Sequence, residues 1–454
     1  RAQSGVSLLD GDEVAAQAFL SDPSEVREWS IESLTEIHGR RYLLRSNALE
    51  LFFSSGKSVF FSFSRGKQGL VGSVYRRIAR IKGQTGLKYC FLDDPGRALA
   101  RYKLTEDWVN RRISNLEYLL ELNSFAGRSY NDLMQYPIMP WVLADYTSDR
   151  LDLANPSCYR DLSKPVAAQT PENAAVVQER YSSWVDAEIP PFHYGSHYST
   201  AAFVLSFLVR LEPYTTSALK LQDGHFDCPD RIFSSLNDTY QSCTSAGSSD
   251  VRELIPEFFT LPDFLVNANS LPLGTTQSGD PVHDVHLPPW ANQDPLEFVR
   301  VHRQALESDH VSAHLHHWID LIFGFKQTGK AAVDACNVYY YLTYENGVDV
   351  DSIDDPLMRR AAEAQIANFG QTPRRLFASP HPRRKAVSEV RNPVFETLLY
   401  GSDPNGTAVM ASSQLLSSDG ASAGGGSAAV LPDVPASAES SEKPPEFWTE
   451  EWGE

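Results

Sequence analysis

The 454-residue sequence is short of basic residues and has no long apolar run. It holds 40 Lys and Arg against 58 Asp and Glu, a formal net charge of -18. Phosphate backbones are bound by clustered surpluses of Lys and Arg, so this balance excludes a general nucleic-acid binder. The longest apolar run, residues 200–211, contains Arg210 and falls short of the ~18 residues that cross a bilayer. The sequence therefore predicts no membrane-spanning segment.

Cysteine is scarce as well. The five cysteines are scattered, odd in number and without a CxxC pair. This pattern is typical of a reducing cytosol, without structural disulfides or zinc. The chain begins at Arg1 and shows no basic-then-apolar leader, which indicates a fragment of a longer protein that is not secreted. We therefore expect a cytoplasmic location.

Apolar and aromatic residues are plentiful enough for a folded core, at 42% and 11% of the sequence. Residues 27–63 show short runs typical of β-strands, separated by turn residues at 46–47 and 54–56. Helical spacing follows over residues 70–82, with apolar side chains on one side and Arg and Lys on another. We predict half of a small β-barrel or sandwich that is capped by a helix.

A longer block, residues 103–385, is predicted to be mainly helical. Thr105 fits the N-cap of its first helix, Gly127 fits the stop of that helix, and Asp294 fits the N-cap of a later one. Residues 255–290 combine six prolines with large apolar side chains. Proline prevents long helices and central strands, whereas the apolar side chains need burial. We therefore expect irregular backbone packed into the core of this block.

Composition predicts a division of the chain into five parts. The end of the chain is rich in Ser, Ala, Gly and Asp, and such a composition cannot bury enough apolar surface to offset the entropy of ordering. The predicted parts are a disordered or linker segment at 1–25, a partial sheet domain at 26–82, a linker at 83–102, the helical block at 103–385 and a disordered acidic tail at 386–454.

One pattern suggests nucleotide chemistry. Residues 324–330 read GFKQTGK and match the GxxxxGK half of a phosphate-binding loop, with Lys330 as the phosphate-binding lysine. Ala331 stands where that motif has a Mg²⁺-binding hydroxyl, and the preceding residues have helical rather than strand spacing. The alternative is that Gly324 ends a helix and a polar turn follows it.

A second pattern suggests a metal site. His310, His314 and His317 fall at i, i+4 and i+7, so they share one helical face, but Val311 stands where a metalloprotease helix has its glutamate. A neighbouring apolar stripe favours a structural role at the edge of a packed core. A hydrolase that uses Lys330 or the three histidines stays open as the alternative. We predict no catalytic residue, no metal and no cofactor.

Several long strings in the helical block resemble a BEACH domain. They include ISNLEYL at 113–119, LNSFAGRSYNDL at 122–133, HYGSHYS at 193–199, DVRELIPEFF at 250–259 and NFGQTP at 368–373. The preceding IHGRRYLL at 37–44 and ALELF at 48–52 resemble the second half of the PH-like domain that precedes BEACH in neurobeachin and Chediak-Higashi-type proteins.

The resemblance implies a multidomain α+β fold. A partial PH-like β-domain with a C-terminal helix is expected to precede a mainly α-helical BEACH domain, whose core includes segments without regular secondary structure. A disordered tail is expected to follow. A WD-repeat propeller usually follows BEACH in this family, and we find no repeats after residue 385.

The resemblance also implies a function. Proteins of this family act as non-catalytic scaffolds in vesicle trafficking and in endolysosomal and autophagic membrane dynamics. The expected partners are proteins of the trafficking machinery, with no nucleic acid. Membrane contact is expected to be indirect or local, at a cytoplasmic location on the periphery of endomembranes.

Site residues are implied at the junction of the two domains. In the family the PH-like and BEACH domains pack together and leave a groove between them. Arg40 and Glu50 match charged positions on the PH side of this junction, and Asn115, Glu117 and Asn123 are the expected residues on the BEACH side. Intramolecular PH–BEACH packing is therefore expected.

Overall fold

The structure is a computed structural model that describes residues 28–63, 69–82, 87, 89–91, 95–187, 189–345 and 347–390. The predicted segment at 1–25 and the predicted tail beyond residue 390 lie outside the described residues. The chain divides into two units, residues 1–385 and 386–454. Of the second unit the structure describes one short helix, α13 (Val387–Val390).

The first described part is a four-stranded sheet with a helix packed on it. Strands β1 (Leu34–Tyr42), β2 (Arg45–Phe53) and β3 (Ser58–Ser62) pair antiparallel in sequence order, and β4 (Tyr89–Phe91) runs parallel to β1 at the other edge. Helix α1 (Gly69–Lys82) packs its apolar side on the sheet. We call the four strands and α1 the sheet unit. The predicted strands-then-helix order is confirmed.

The predicted turn at residues 46–47 is wrong, because β2 already begins at Arg45. The chain turns instead at Leu43 and Leu44, whose φ angles are 49° and 61°. Leucine rarely adopts this left-handed conformation, and no local sequence signal marks the turn. Tertiary contacts of Leu44 stabilise it, as described below.

The second described part, residues 95–385, is the helical block, and the predicted fold class is confirmed. Short helices are connected by long irregular segments and 3-10 turns. The helices are α2 (Pro95–Arg101), α3 (Leu104–Val109), α4 (Asn115–Phe125), α5 (Pro171–Ser182), α6 (Ala201–Leu208), α7 (Tyr214–Leu221), α8 (Leu236–Thr244), α9 (Pro295–Glu307), α10 (Asp309–Ile322), α11 (Gly329–Asp334) and α12 (Pro356–Phe369).

Of the two predicted N-caps, one is confirmed and one is wrong. Asp294 caps α9 by accepting from the N–H of Leu296, as predicted. Thr105, in contrast, lies inside α3, so its prediction as an N-cap is wrong. The expected single helix is broken at Arg111, whose φ is 58°, and the next helix has its own cap, Ser114. A continuous apolar stripe does not reveal such a break, because both halves face the same core.

The proline-rich segment at residues 255–290 forms only 3-10 turns and extended backbone, and most of its large apolar side chains are buried. Phe258 and Phe264 are fully buried and contact each other edge to face, with ring centroids 4.8 Å apart. Next to this segment, the backbone of Leu254 exchanges two hydrogen bonds with Met139. The prediction of irregular backbone within the core is confirmed.

His302 of α9 is expected to make the stability of the block depend on pH. Its ring is fully buried between those of Phe259 and Phe298, at 4.6 and 5.0 Å. Burial lowers the pKa of His302 from 6.5 to about 3. Between these values the unfolded chain binds a proton that the folded chain excludes. The free energy of unfolding is therefore expected to fall by about 2 kcal/mol between pH 7 and pH 5 through this residue alone.

Urea unfolding of the His302→Gln variant at both pH values checks this expectation. Its loss of stability on acidification is expected to be about 2 kcal/mol smaller than that of the original chain. His225, which is exposed, provides the control, because His225→Gln removes an imidazole without changing a buried one. An unaltered pH dependence in His302→Gln would refute the assignment.

Candidate functional site

A buried ion pair joins neighbouring strands of the sheet unit. The β1–β2 register places His38 opposite Glu50 and Arg40 opposite Ala48, so Arg40 and Glu50 are diagonal neighbours. Arg40 donates from Nε to Oε2 of Glu50 over 2.7 Å, and the two side chains are 3% and 0% exposed. Hydrogen bonds between full charges at this distance are among the strong ones in proteins.

The other hydrogen bonds of this pair reach the helical block. Arg40 donates from Nη1 to the backbone oxygen of Ser124 at the end of α4. Glu50 Oε1 accepts from the hydroxyl of Ser129 and, over 2.7 Å, from Nδ2 of Asn131. The charges are therefore buried between the unit and the block, and each charge has a partner on both sides of the junction.

The β1–β2 turn also enters the helical block. The side chain of Leu44 is 7% exposed and packs with Leu342, Val350 and Ile366. Its backbone N–H donates to Oε1 of Gln371 over 3.2 Å. Burial of a leucine side chain contributes about 1.5 to 3 kcal/mol, which offsets the cost of the left-handed backbone. The turn therefore has its conformation because the block holds it.

Charged residues lie on either side of this turn. Arg41 is fully buried, and its Nη1 lies 2.9 Å from Oε2 of Glu345. Arg374 approaches the same carboxylate at 3.3 Å, so one glutamate serves two arginines. Burial lowers the pKa of Arg41 to about 10, and the charge of Arg374 adds to the effect; Arg41 is still protonated at neutral pH. Beyond the turn, Arg45 pairs with Asp351 at 3.0 Å.

A cavity of about 120 Å³ lies at the junction. Its lining includes His38, Arg40 and Arg41 from the sheet unit and Ser124 and Arg374 from the helical block. Burial, with the charge of Arg40, holds the pKa of His38 below its ordinary value. His38 is therefore neutral at neutral pH, and the positive charge of the lining comes from the three arginines.

Two models of known families match the chain. The Beige/BEACH domain matches residues 106–384, and the PH domain associated with Beige/BEACH matches residues 11–79. The chain belongs to the BEACH family. The PH match begins ahead of the predicted domain boundary at residue 26, within residues that the structure does not describe. From here on, the sheet unit is called the PH-like unit and the helical block the BEACH block.

Three curated relatives from Arabidopsis thaliana are each 47% identical to this chain. BEACH domain-containing protein A2 aligns over 374 residues, which is 80% of this chain and 10% of that protein. BEACH domain-containing protein B aligns over 378 residues, which is 81% of this chain and 14% of that protein. Protein SPIRRIG aligns over 377 residues, which is 81% of this chain and 10% of that protein. The chain thus spans a small part of the length of these relatives.

BEACH-domain proteins are scaffold-type proteins and are not recognised as enzymes. In the part of this chain that the structure describes, no helix combines the length and the apolar character needed to cross a membrane.

Two of the residues expected on the BEACH side of the junction, Asn115 and Asn123, are buried amides within α4. Asn115 accepts from Nε1 of Trp108 and donates to the backbone oxygen of Leu306, both over 2.8 Å. Asn123 forms two hydrogen bonds with the backbone of Ile138, at 2.8 and 2.9 Å. These bonds connect the α4 helix to other segments of the BEACH block.

The third residue, Glu117, lies on the exposed side of α4. It closes a capping box with Ser114: each side chain accepts from the backbone N–H of the other residue. These hydrogen bonds hold the pKa of Glu117 below its ordinary value. Asn115, Glu117 and Asn123 thus have structural roles within the BEACH block, and their role at the junction stays a prediction.

A second buried ion pair, which the sequence did not single out, lies in the core of the BEACH block. Arg160 Nη1 donates to Oε2 of Glu253 over 2.8 Å, and the side chains are 0% and 3% exposed. The same carboxylate accepts from the backbone N–H of Trp141 and, through Oε1, from Nε1 of Trp318. Residues 159–165 hold three charged side chains and residues 250–259 hold four, so nothing in the sequence singled out Arg160 or Glu253.

The histidines of α10 pack against aromatic rings and against one another. His310 stacks on Tyr159 with centroids 4.4 Å apart, and the His314 ring lies 4.5 Å from that of His310. Burial and the charge of the neighbouring His317 lower the pKa of His316 to about 4. Among the described residues, no three His, Cys, Asp or Glu side chains come together in a group that suits a metal ion.

The GFKQTGK segment follows a helix, whereas a phosphate-binding loop follows a strand. Helix α10 ends at Ile322, and a 3-10 turn (Phe325–Gln327) leads to α11. Gly324 is extended, and a Cβ atom there would lie 2.7 Å from Cα of Asp320. Close backbone approach therefore accounts for this glycine. Neither this geometry nor that of the histidines supports the hydrolase alternative.

Proposed function

We propose that this PH-BEACH unit is a non-catalytic scaffold in vesicle trafficking and in endolysosomal and autophagic membrane dynamics. It acts in the cytoplasm, on the periphery of endomembranes. Its partners are proteins of the trafficking machinery, which bind a surface formed jointly by the PH-like unit and the BEACH block.

The observation that carries this proposal is the ion pair of Arg40 and Glu50, whose remaining hydrogen bonds end on the BEACH block. Removing one partner of a buried ion pair lowers the stability by about 3 to 5 kcal/mol, because the other charge stays buried without a counter-charge. The PH-like unit and the BEACH block are therefore expected to keep one relative position. Two elements held in this way present a joint surface to a partner, which is what a scaffold requires.

The cavity at the junction suggests where a partner binds. Arg374 is 25% exposed at this cavity, so its guanidinium is within reach of a ligand. Planar guanidinium groups recognise carboxylates through paired hydrogen bonds. We propose that the partner presents an acidic side chain to this arginine, with the PH-like unit and the BEACH block on either side of it.

A quantitative pull-down with the full 454-residue chain tests this function. Proteins of the trafficking machinery are expected on the original bait and to fall about tenfold or more on Arg374→Gln, because a hydrogen bond to a charged group contributes about 1.5 to 3 kcal/mol. Arg375 is exposed next to it and is absent from the cavity lining, so Arg375→Gln is the matched control. Equal capture by both variants, or capture of no trafficking proteins, would contradict the proposal.

A further inference from the structure

Helix α1 has an inner face that belongs to the core of the PH-like unit. Val71 is 7% exposed, and it packs with Ile37, Leu49 and Phe53 of the sheet. Partly buried Ile78 packs against the same cluster. Because these contacts run along the helix, α1 lies flat on the sheet, and its opposite face points outward over most of its length.

At the edge of the outward face, about 60° to 100° around the helix from Val71 and Ile78, are two apolar side chains that belong to no apolar cluster of the described residues. Leu70 is 45% exposed and Ile81 is 62% exposed. At 3.6 residues per turn, positions eleven apart lie within about 20° of each other around the helix, and they are separated by about 16 Å along it. Arg77 lies between them on the same line, and it is exposed as well. Isolated exposed leucines are common, but here two aliphatic side chains share one face with a cation.

The same face is strongly basic. Arg80 and Arg76 are exposed about 80° and 120° around the helix from this line, on the side away from the sheet, and α1 contains no Asp or Glu. Within the described residues, no carboxylate forms an ion pair with Arg76, Arg77 or Arg80. The chain as a whole carries 18 more acidic than basic residues. A helix with four basic residues and no acidic one therefore differs in the sign of its charge from the chain as a whole.

We propose that the outward face of α1 binds the surface of an anionic lipid bilayer. A helix that lies in the membrane plane typically combines Lys or Arg with aliphatic side chains that reach below the headgroups. Here Leu70 and Ile81 enter the headgroup region, and the arginines bind lipid phosphates and carboxylates while their alkyl chains stay near the apolar boundary. This site deepens the proposed function and rests on it, because it supplies the local membrane contact of the scaffold.

The chemistry favours a bilayer over an acidic protein segment. An acidic segment would neutralise the arginines, but it would leave the apolar side chains of Leu70 and Ile81 in water. An anionic bilayer provides negative charge at its surface and apolar volume beneath it, so one ligand satisfies both kinds of side chain.

Flotation of the full chain with vesicles tests the site. Binding is expected to phosphatidylcholine vesicles that contain phosphatidylserine, weakly or not at all to phosphatidylcholine alone, and to decline as salt is added. Each basic residue near an anionic surface contributes about 1 kcal/mol, or about fivefold in binding, so Arg77→Gln with Arg80→Gln is expected to weaken binding about 25-fold. Leu70→Ser with Ile81→Ser is expected to weaken it about tenfold.

Helix α12 provides matched controls. Arg360 is an exposed arginine and Leu357 is a 73% exposed leucine on this helix. Arg360→Gln and Leu357→Ser should bind vesicles like the original chain. The proposal is overturned if the original chain does not float with anionic vesicles, or if the α1 variants float as well as the α12 controls. Such a failure would leave the pull-down result untouched, because that experiment measures protein partners at the junction cavity in the absence of vesicles.

Discussion

Glu50→Arg is expected to detach the PH-like unit from the BEACH block. The substitution places a second positive charge against Arg40 in a site where the glutamate side chain is fully buried. It also removes the acceptor of Ser129 and Asn131. Leaving one buried charge without its partner costs about 3 to 5 kcal/mol, and repulsion adds to this cost. We therefore expect the junction to open while the core of the BEACH block stays folded.

Hydrogen exchange of backbone amides measures this opening. Amides of β1 and β2 are expected to lose protection in Glu50→Arg, whereas amides of α10, in the BEACH core, should keep it. Glu50→Gln keeps an acceptor for Arg40 and should give an intermediate result. Glu28 is exposed ahead of β1, so Glu28→Arg controls for the change in net charge. Unchanged protection of β1 and β2 in Glu50→Arg would refute the role of this pair.

Exchanging the two charges sharpens the test. In Arg40→Glu with Glu50→Arg, the strands could again form an ion pair. The block, however, offers the carbonyl of Ser124 to the residue at position 40, and the hydrogen-bond donors of Ser129 and Asn131 to the residue at position 50. These partners fit an arginine at position 40 and a glutamate at position 50, and they do not fit the reverse arrangement. The exchanged variant is therefore not expected to recover protection.

Glu253→Ala is expected to destabilise the whole BEACH block by about 3 to 5 kcal/mol, because it leaves the guanidinium of Arg160 buried without a counter-charge. The change also removes the acceptor of the Trp318 indole and of the Trp141 backbone. Domains have a total stability of about 5 to 15 kcal/mol, so this loss is a large fraction of it. Urea unfolding measures the effect.

Two further variants separate this pair from ordinary ion pairs. Replacing both charges, as in Arg160→Met with Glu253→Leu, should cost less than Glu253→Ala alone, since no unpaired charge remains. Glu297 pairs with Arg300 at the surface, with side chains 31% and 54% exposed. Glu297→Ala should have a far smaller effect on the free energy of unfolding, because water screens an exposed ion pair. Equal costs for Glu253→Ala and Glu297→Ala would contradict the importance of the buried pair.

Features with a local cause could be predicted from the sequence. The spacing of Val71 and Ile78 against the arginines predicted helix α1, and the cap residue Asp294 predicted the start of α9 at the next residue, because a cap acts on the first turn that follows it. The irregular segment at residues 255–290 followed from proline chemistry combined with apolar composition. Each of these inferences needs only a few consecutive residues.

Features caused by distant residues could not be predicted in this way. The left-handed turn at Leu44 depends on Gln371 and Ile366, far along the chain. Arg160 and Glu253 are 93 residues apart, so their pairing has no period or spacing in the sequence. The junction positions Arg40 and Glu50 came from resemblance to a family, and nothing in the residues around them indicated their hydrogen bonds to the BEACH block.

The two hairpin turns of the PH-like unit differ as sites for labelling. The β1–β2 turn is closed by Leu44, which is buried against the BEACH block, so a peptide tag inserted there would push the two parts of the molecule apart. Residues 54–56, between β2 and β3, are exposed, and a Cβ on Gly56 would meet no atom within 4 Å. Insertions are tolerated best at such exposed turns. A fluorophore that follows this protein in cells therefore belongs in the β2–β3 turn.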